Sequence, residues 1–141
     1  MPDSSCAFCG VDAARELIAG RLAYATLDRY PLNPGHVLVL PRRHVTSWFE
    51  TTEDERREMM SLLDEARQLI RQMHLAAGFN IGINDGVAAG QTDPHLQIHL
   101  IPRYPDDVAD PRGGVRWIMP ARAVYWKNPP PDAVAPGGES K

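Results

Sequence analysis

The residue types best suited to chemistry in this chain cluster in one short segment. It reads His95-Leu96-Gln97-Ile98-His99-Leu100-Ile101. Side chains alternate between the two faces of a β-strand, so a strand here places His95, Gln97 and His99 together on one face. The apolar residues between them fill the other face. Three successive positions on that face are polar, so the face does not bury apolar side chains. We therefore expect a functional site there.

A loop rich in small residues leads into this segment. It contains Gly86 and Gly90, and its neutral hydrogen-bonding residues are Asn84, Gln91 and Thr92. Glycine allows backbone amides to approach a ligand closely, and successive amides can form a concavity that binds anions. Beside imidazole side chains, this loop indicates a phosphate-binding site, although a purely structural turn would use similar residues.

The two cysteines of the chain, Cys6 and Cys9, form a C-x-x-C pair. In a reducing compartment this spacing indicates a metal site or a redox pair rather than a structural disulfide. Redox pairs of the thioredoxin type usually open a helix after a buried strand, and Cys6 lies too early in the sequence for that arrangement. Loosely held free thiols are the remaining alternative.

One long helix is predicted from about Glu53 to about Met73. Its apolar stripe, at steps of three and four residues, consists of Met59, Leu63, Ala66, Ile70 and Met73. Such a stripe is typical of a helix packed on a sheet, and we expect Met59 and Met73 in the core. Thr52 and Glu55 fit a capping box at the start of the helix. The segment Ala76-Ala77-Gly78 is expected to end it.

Five strands are predicted around this helix. They cover Glu16–Ile18, Leu22–Leu27, His36–Leu40, Phe79–Asn84 and His95–Ile101. Turn residues separate several of them, as in Asn84-Asp85-Gly86. The continuously apolar segment Val37–Leu40 is typical of a central strand. The predicted fold class is therefore α+β, an antiparallel sheet of about five strands with one long helix on a face.

Composition sets the broad class of protein. The chain has 141 residues, 43% of them hydrophobic and 23% charged, which is ordinary for a soluble globular domain. We expect a single domain over 1–128 and a disordered tail over 129–141, where proline and glycine are frequent. The net charge of −3 argues against nucleic acid or an anionic membrane as partner. No apolar run could span a bilayer and no signal peptide is evident, so we expect a cytoplasmic location.

Several separated motifs resemble the histidine-triad (HIT) superfamily of nucleotide hydrolases and transferases, whose signature is His-φ-His-φ-His-φ-φ with φ apolar. They are the signature segment with Pro102-Arg103 after it, Gly90-Gln91-Thr92 before it, and Pro34-Gly35-His36-Val37-Leu38-Val39-Leu40-Pro41 with the following Arg42-Arg43-His44-Val45. The resemblance spans roughly Cys6 to Arg103 in the family's order, and Asp110–Ile118 resembles one bacterial branch of small HIT proteins. It implies a HIT-type fold and a homodimer formed through the sheet and the long helix.

The resemblance also implies an activity and a set of site residues. The activity is hydrolysis or nucleotidyl transfer at the α-phosphate of a dinucleoside polyphosphate or a nucleoside phosphoramidate, so the expected ligand is a purine nucleotide or dinucleotide. The family's two supporting histidines correspond to His99 and His36, and Asp28 corresponds to a position that accepts the ribose hydroxyls. The positions that contact phosphate correspond to Asn84, Gly90, Gln91 and Thr92.

The nucleophile position of the family corresponds to Gln97. A neutral imidazole is a good nucleophile near pH 7 and forms a covalent nucleotidyl intermediate in the family. The amide nitrogen of glutamine has its lone pair delocalised into the carbonyl, so it can hydrogen-bond a phosphate but cannot form that intermediate.

Three explanations for Gln97 are open: a substitution introduced to trap a nucleotide, a natural residue in a protein that binds nucleotides without this chemistry or activates water directly, and a sequence error. The expected consequence is little or no turnover, with a natural non-catalytic nucleotide-binding regulator or scaffold as the alternative function.

The resemblance favours metal binding by the C-x-x-C pair over a redox pair or free thiols. Zinc-bearing HIT proteins have such a pair, a histidine after the Val-Leu-Val-Leu-Pro strand and the first histidine of the signature, which correspond here to Cys6, Cys9, His44 and His95. Two thiolates and two imidazoles suit tetrahedral zinc. Four protein ligands leave no position open for substrate, so the zinc is expected to be structural.

Overall fold

The structure, a computed structural model, describes residues 4–127. The chain divides between Pro105 and Asp106 into two compact units. The single domain over 1–128 therefore stays a prediction, and the tail predicted over 129–141 lies outside the described residues. Among the described residues, no helix is both long enough and apolar enough to cross a membrane.

The first unit is a five-stranded antiparallel sheet with one long helix, as the sequence predicts. Its strands are β1 (Glu16–Ala19), β2 (Ala23–Leu27), β3 (Val37–Pro41), β4 (Gly78–Gly82) and β5 (Ile98–Arg103). Their order in the sheet is β1-β2-β3-β5-β4, with every neighbouring pair antiparallel. The α+β fold class is confirmed, and β3 is the central strand, buried along its whole length.

The helix α1 spans Glu53–Met73, the predicted bounds. Its capping box is complete: the Thr52 hydroxyl accepts from the Glu55 N–H at 3.1 Å, and the Thr52 N–H donates to a Glu55 carboxylate oxygen at 2.8 Å. The expectation that Ala76-Ala77-Gly78 ends the helix is wrong, because the backbone is already extended at His74 and Gly78 begins β4. Met73 is also not in the core: it is 56% exposed, since it is the last helical residue, beyond the buried part of the stripe.

The two faces of the sheet are covered differently. On one face α1 packs through Met59, Leu63, Ala66 and Ile70. On the other face lies a smaller cluster made by Tyr24, Leu38 and Leu40, against which Phe8 and Val11 of the N-terminal segment pack. The His99 side chain shares this second face, because His99 is paired with Leu38.

The last strand begins later than predicted. The expected strand starts at His95, but β5 starts at Ile98, so His95 and Gln97 precede it and the three polar residues do not alternate along one strand. Two hydrogen bonds hold this segment outside the sheet ladder: the Leu96 N–H donates to the Val45 carbonyl at 2.7 Å, and the His95 ring lies 2.7 Å from the Pro41 carbonyl.

The second unit contains a short 3-10 helix at Gly114–Ile118 and the single-turn helix α2 at Pro120–Ala123. The Arg112 guanidinium lies 4.3 Å from the centre of the Trp126 ring, and the Trp117 indole N–H donates to the Arg112 carbonyl at 2.9 Å. Cation–π and hydrogen-bond contacts therefore hold this unit together.

Candidate functional site

A row of three polar residues crosses the sheet on the face opposite α1. Asp28 follows β2 and His36 precedes β3, and the Asp28 N–H donates to the His36 carbonyl at 2.9 Å, which extends the pairing of these strands. His99 lies on β5, next to β3. The antiparallel register therefore brings together three residues that are far apart in sequence.

The hydrogen bonds of His36 define which of its ring nitrogens carries the proton. The Leu32 N–H donates to His36 Nδ1 at 3.1 Å, so the neutral ring carries its proton on Nε2. That nitrogen lies 3.0 Å from His99 Nδ1 and 3.4 Å from Asp28 Oδ2. His36 Nε2–H then donates to His99, and His99 in turn carries its proton on Nε2.

Burial keeps both rings neutral. Burial lowers the pKa of His36 and of His99, and the Asp28 carboxylate only partly opposes this effect in each case. The row therefore consists of one carboxylate and two neutral imidazoles linked by hydrogen bonds near pH 7. Such a chain orients one ring N–H, that of His99 Nε2, as a hydrogen-bond donor.

The same three residues have donor atoms within 4.8 Å of one another and could in principle hold a metal ion. The Leu32 contact argues against this use, because it consumes the lone pair of His36 Nδ1 and leaves a proton on Nε2, the atom that faces Asp28 and His99. A metal ligand needs an unprotonated ring nitrogen. The arrangement therefore favours proton positioning over metal binding.

A cavity of about 260 Å³ opens over this row. Its lining includes every residue that the sequence assigned to nucleotide binding. Those residues are Asp28, Asn84, Gly90, Gln91 and Thr92. Gln97 and His99 of the predicted catalytic set and the predicted metal ligand His95 also line the cavity, whereas His36 is not part of its lining. The volume is near the lower end of small-molecule sites, about 300 Å³, and suits one nucleotide better than two.

Gln97 lies half-buried in the cavity wall. Its amide donates to a carboxylate oxygen of Asp93 at 3.3 Å. A carboxylate therefore lies in the predicted phosphate site, although its negative charge repels phosphate. Sequence reasoning missed Asp93, because a single aspartate before a proline carries no signal of its own. Its position four residues before Gln97, inside the glycine loop, is the only available clue.

The glycine loop is held by Gln91. The Gln91 side-chain oxygen Oε1 accepts from the Gly86 N–H at 2.9 Å. Its side-chain nitrogen Nε2 donates to the backbone carbonyls of Thr46 and Asp93. These bonds occupy both amide hydrogens, so the side chain positions the loop rather than offering free donors to phosphate. Gly90, with φ at +94°, adopts the left-handed conformation that favours glycine.

Cys6, Cys9, His44 and His95 form a compact group at the edge of this cavity. Their donor atoms all lie within 4.8 Å of one another. Cys6 Sγ and Cys9 Sγ each lie 3.5 Å from His95 Nδ1, and Cys9 Sγ lies 3.1 Å from His44 Nδ1. Tetrahedral zinc, with Zn–S about 2.3 Å and Zn–N about 2.0–2.1 Å, places sulfur and nitrogen about 3.5 Å apart. The four predicted residues therefore fit a metal ion of this type.

His95 is oriented as a ligand. Its Nε2–H donates to the Pro41 carbonyl at 2.7 Å, which leaves the Nδ1 lone pair directed at the cysteines. Carbonyl acceptors of this kind are the usual support of metal-bound histidines. Burial lowers the pKa of His95, which also favours the neutral ring. His95 thus borders the cavity but directs its ring nitrogens away from it.

Comparisons with known proteins agree on the family. The HIT domain family matches residues 13–106. An AP-4-A phosphorylase of Mycobacterium tuberculosis is 39% identical over 89 residues, covering 62% of this chain and 46% of the relative. An asymmetrical bis(5'-nucleosyl)-tetraphosphatase of Schizosaccharomyces pombe is 39% identical over 90 residues, covering 64% and 50%. The chain thus spans about half the length of these curated relatives.

A zinc-bound protein is among the similar solved structures. A zinc-bound histidine triad family protein from Mycobacterium smegmatis matches with a TM-score of 0.65 and 30% identity, covering 84% of this chain and 94% of that one. The match extends over most of both chains. The antiparallel sheet, the long helix and the row formed by Asp28, His36 and His99 define an α+β fold of the histidine-triad type. This chain belongs to the HIT domain family.

Proposed function

We propose that this protein binds a purine mononucleotide, or one half of a dinucleoside polyphosphate, in the cavity beside Asp28, Gln97 and His99. The lining combines carboxylate, amide and imidazole groups with apolar side chains, which suits a nucleotide. In this proposal Asp28 accepts the ribose hydroxyls. Asn84, Gly90 and Thr92 contact phosphate, and Gln91 positions the loop that carries them. The names of the relatives, a phosphorylase and a tetraphosphatase, support the ligand class.

The proposal of little turnover rests on Gln97, which the resemblance aligns with the nucleophile position of the family and which lines the cavity beside His99. Nucleotidyl transfer there requires a nitrogen lone pair that forms a bond to the α-phosphorus as the leaving group departs. The Gln97 amide lacks such a lone pair and its N–H is directed at Asp93. We therefore infer nucleotide binding with little or no turnover through a covalent intermediate. A nucleotide-binding regulator without catalytic duty is the second candidate, and the same residue favours it.

One experiment tests the proposal directly. Purified protein and its Gln97→His variant are incubated with diadenosine tetraphosphate and examined by mass spectrometry. We expect a mass increase of one adenylate only for the variant. Calorimetry with adenosine and guanosine monophosphates measures binding by the unaltered chain. Absence of any nucleotide affinity, or turnover of the dinucleotide by the unaltered protein at ordinary enzymatic rates, would refute the proposal.

We further propose that Cys6, Cys9, His44 and His95 bind zinc in a structural role. Support comes from the sulfur–nitrogen distances and from the hydrogen bond that orients His95. Metal analysis of the purified protein should find one zinc per chain. Replacement of His44 by alanine should abolish this stoichiometry, whereas replacement of His74, outside the group, should not.

A homodimer is also part of the proposal. The strand β4 lies at the edge of the sheet, and its Ile81 side chain is 53% exposed. An unpaired edge strand with an exposed apolar side chain is a surface that proteins usually cover. Light scattering coupled to size-exclusion chromatography should report twice the mass of one chain. The mass of a single chain would refute the dimer.

A further inference from the structure

The N-terminal segment 6–11 belongs to two sites at once. Cys6 and Cys9 supply half of the metal-binding group. Phe8 lies between these cysteines and Val11 follows them, and both side chains line the nucleotide cavity. His95 joins the two sites from the other side, because it belongs to the metal group and also borders the cavity.

The contacts of Phe8 connect it to the metal group. Its N–H donates to Cys6 Sγ at 3.4 Å, a bond that a thiolate accepts better than a thiol. Its carbonyl accepts from the Tyr24 hydroxyl at 2.7 Å, and its ring centre lies 6.1 Å from that of His95. The position of the Phe8 side chain therefore depends on the same atoms that would hold a metal.

The segment has no regular secondary structure to fix it. Residues 6–11 form turns without a helix or strand. Ordering them costs backbone entropy, and no hydrogen bonds of a helix or sheet compensate that cost. A metal ion held by Cys6, Cys9, His44 and His95 would tie this segment to the two segments that carry the histidines. Without it, the segment is held by the weaker sulfur–imidazole hydrogen bonds and by the packing of Phe8 and Val11 on the sheet, so the two side chains are positioned less firmly at the cavity.

We propose that metal and nucleotide bind with positive coupling, transmitted by segment 6–11, with Phe8 as the positioning residue of the apolar cavity wall. This inference rests on the proposed nucleotide binding and adds its regulation. A prearranged wall raises affinity because binding no longer has to order it. Linkage is reciprocal, so nucleotide strengthens zinc binding by the same factor as zinc strengthens nucleotide binding.

The test measures affinities, not activity. The full chain is prepared zinc-loaded and, after dialysis against a chelator, zinc-free, and adenosine monophosphate is titrated into each by calorimetry. We expect the dissociation constant to be about tenfold weaker for the zinc-free protein. A competition titration with a zinc chelator should show the same factor when adenosine monophosphate is saturating. Circular dichroism establishes that the zinc-free protein retains its fold.

Phe8→Ala keeps the inference testable even if zinc removal disturbs the fold. This variant retains all four ligands, so it should bind zinc at full stoichiometry but bind adenosine monophosphate weakly. Saturating nucleotide should then no longer strengthen its zinc affinity. Phe49→Ala, at an 80% exposed phenylalanine outside segment 6–11 and outside the cavity lining, is the matched control and should keep the full coupling.

The outcomes separate the two proposals. If the zinc-loaded protein binds no nucleotide, the proposed function fails and this inference fails with it. If nucleotide binds equally well with and without zinc, or if Phe8→Ala retains the coupling, only the inference fails. A protein that takes up no zinc also overturns the inference while leaving nucleotide binding intact.

Discussion

His36 Nε2 lies 3.0 Å from His99 Nδ1, although the two residues are 63 positions apart in the sequence. The Leu32 N–H fixes the tautomer of His36, and His36 in turn fixes the tautomer of His99. The consequence is one defined N–H, on His99 Nε2. This donor is suited to a phosphate oxygen or a leaving group, because its direction is fixed before a ligand binds.

The first prediction concerns stability at low pH. Burial lowers the pKa of His36 and His99 in the folded protein, so the unfolded chain binds more protons as pH falls below about 6.5. The two neutral rings therefore contribute their full stability to the fold above about pH 6.5, and this stability is lost as pH falls through their lowered folded-state pKa values. The melting temperature should therefore drop faster below pH 6.5 in the unaltered protein than in His36→Gln. His74→Gln, outside the row, should behave like the unaltered protein, and parallel curves for all three would contradict the argument.

The sequence predicted the sheet and helix better than the site. Apolar periodicity and a capping box located α1 to its bounds, because these signals are local. The start of β5 was misplaced because the bonds from His95 to Pro41 and from Leu96 to Val45 depend on tertiary structure. Asp93 and Phe8 were missed for the same reason. Neither has a spacing that signals function, and each enters the cavity only through folding.

The second prediction restores the missing nucleophile. Gln97→His should raise turnover of diadenosine tetraphosphate by several orders of magnitude, because the new imidazole can form the covalent intermediate beside the His36–His99 pair. Adding His36→Gln to that variant should remove most of the gain, since it disrupts the tautomer of His99. Steady-state release of adenylate measures both. An unchanged rate in Gln97→His would show that any activity of this protein uses different chemistry.

The third prediction links the helix to the metal group. Glu55 is 3% exposed, and its carboxylate accepts two bonds from the Arg43 guanidinium and one from the Thr52 N–H. The Arg43 guanidinium holds the pKa of Glu55 below its usual range, so this stability is present above about pH 4.5 and is lost as pH falls through the lowered value. Glu55→Ala should lower the free energy of unfolding by about 2 kcal/mol, a buried-pair value reduced because Arg43 is half-exposed.

The control for this prediction is Glu53→Ala, whose carboxylate is exposed on the same turn. It should change the free energy of unfolding by less than about 0.5 kcal/mol. Because Arg43 precedes His44, zinc release from Glu55→Ala should also be faster than from the control. Urea unfolding and a colorimetric chelator measure the two effects. Equal stabilities of the two variants would contradict the role given to Glu55.

The fourth prediction concerns the length of the phosphate chain. Arg15 and Arg29 are exposed cations at the cavity, where the part of a dinucleotide that does not fit the cavity would extend. Each should attract the additional phosphates of diadenosine tetraphosphate and contribute little to adenosine monophosphate, because exposed charge interactions are worth up to about 1 kcal/mol and grow with ligand charge. Arg15→Ala and Arg29→Ala should each weaken tetraphosphate binding severalfold and reduce its salt dependence. Arg21→Ala, an exposed arginine outside the cavity lining, should change neither. An equal loss for both ligands would instead indicate that these arginines contact the bound mononucleotide itself.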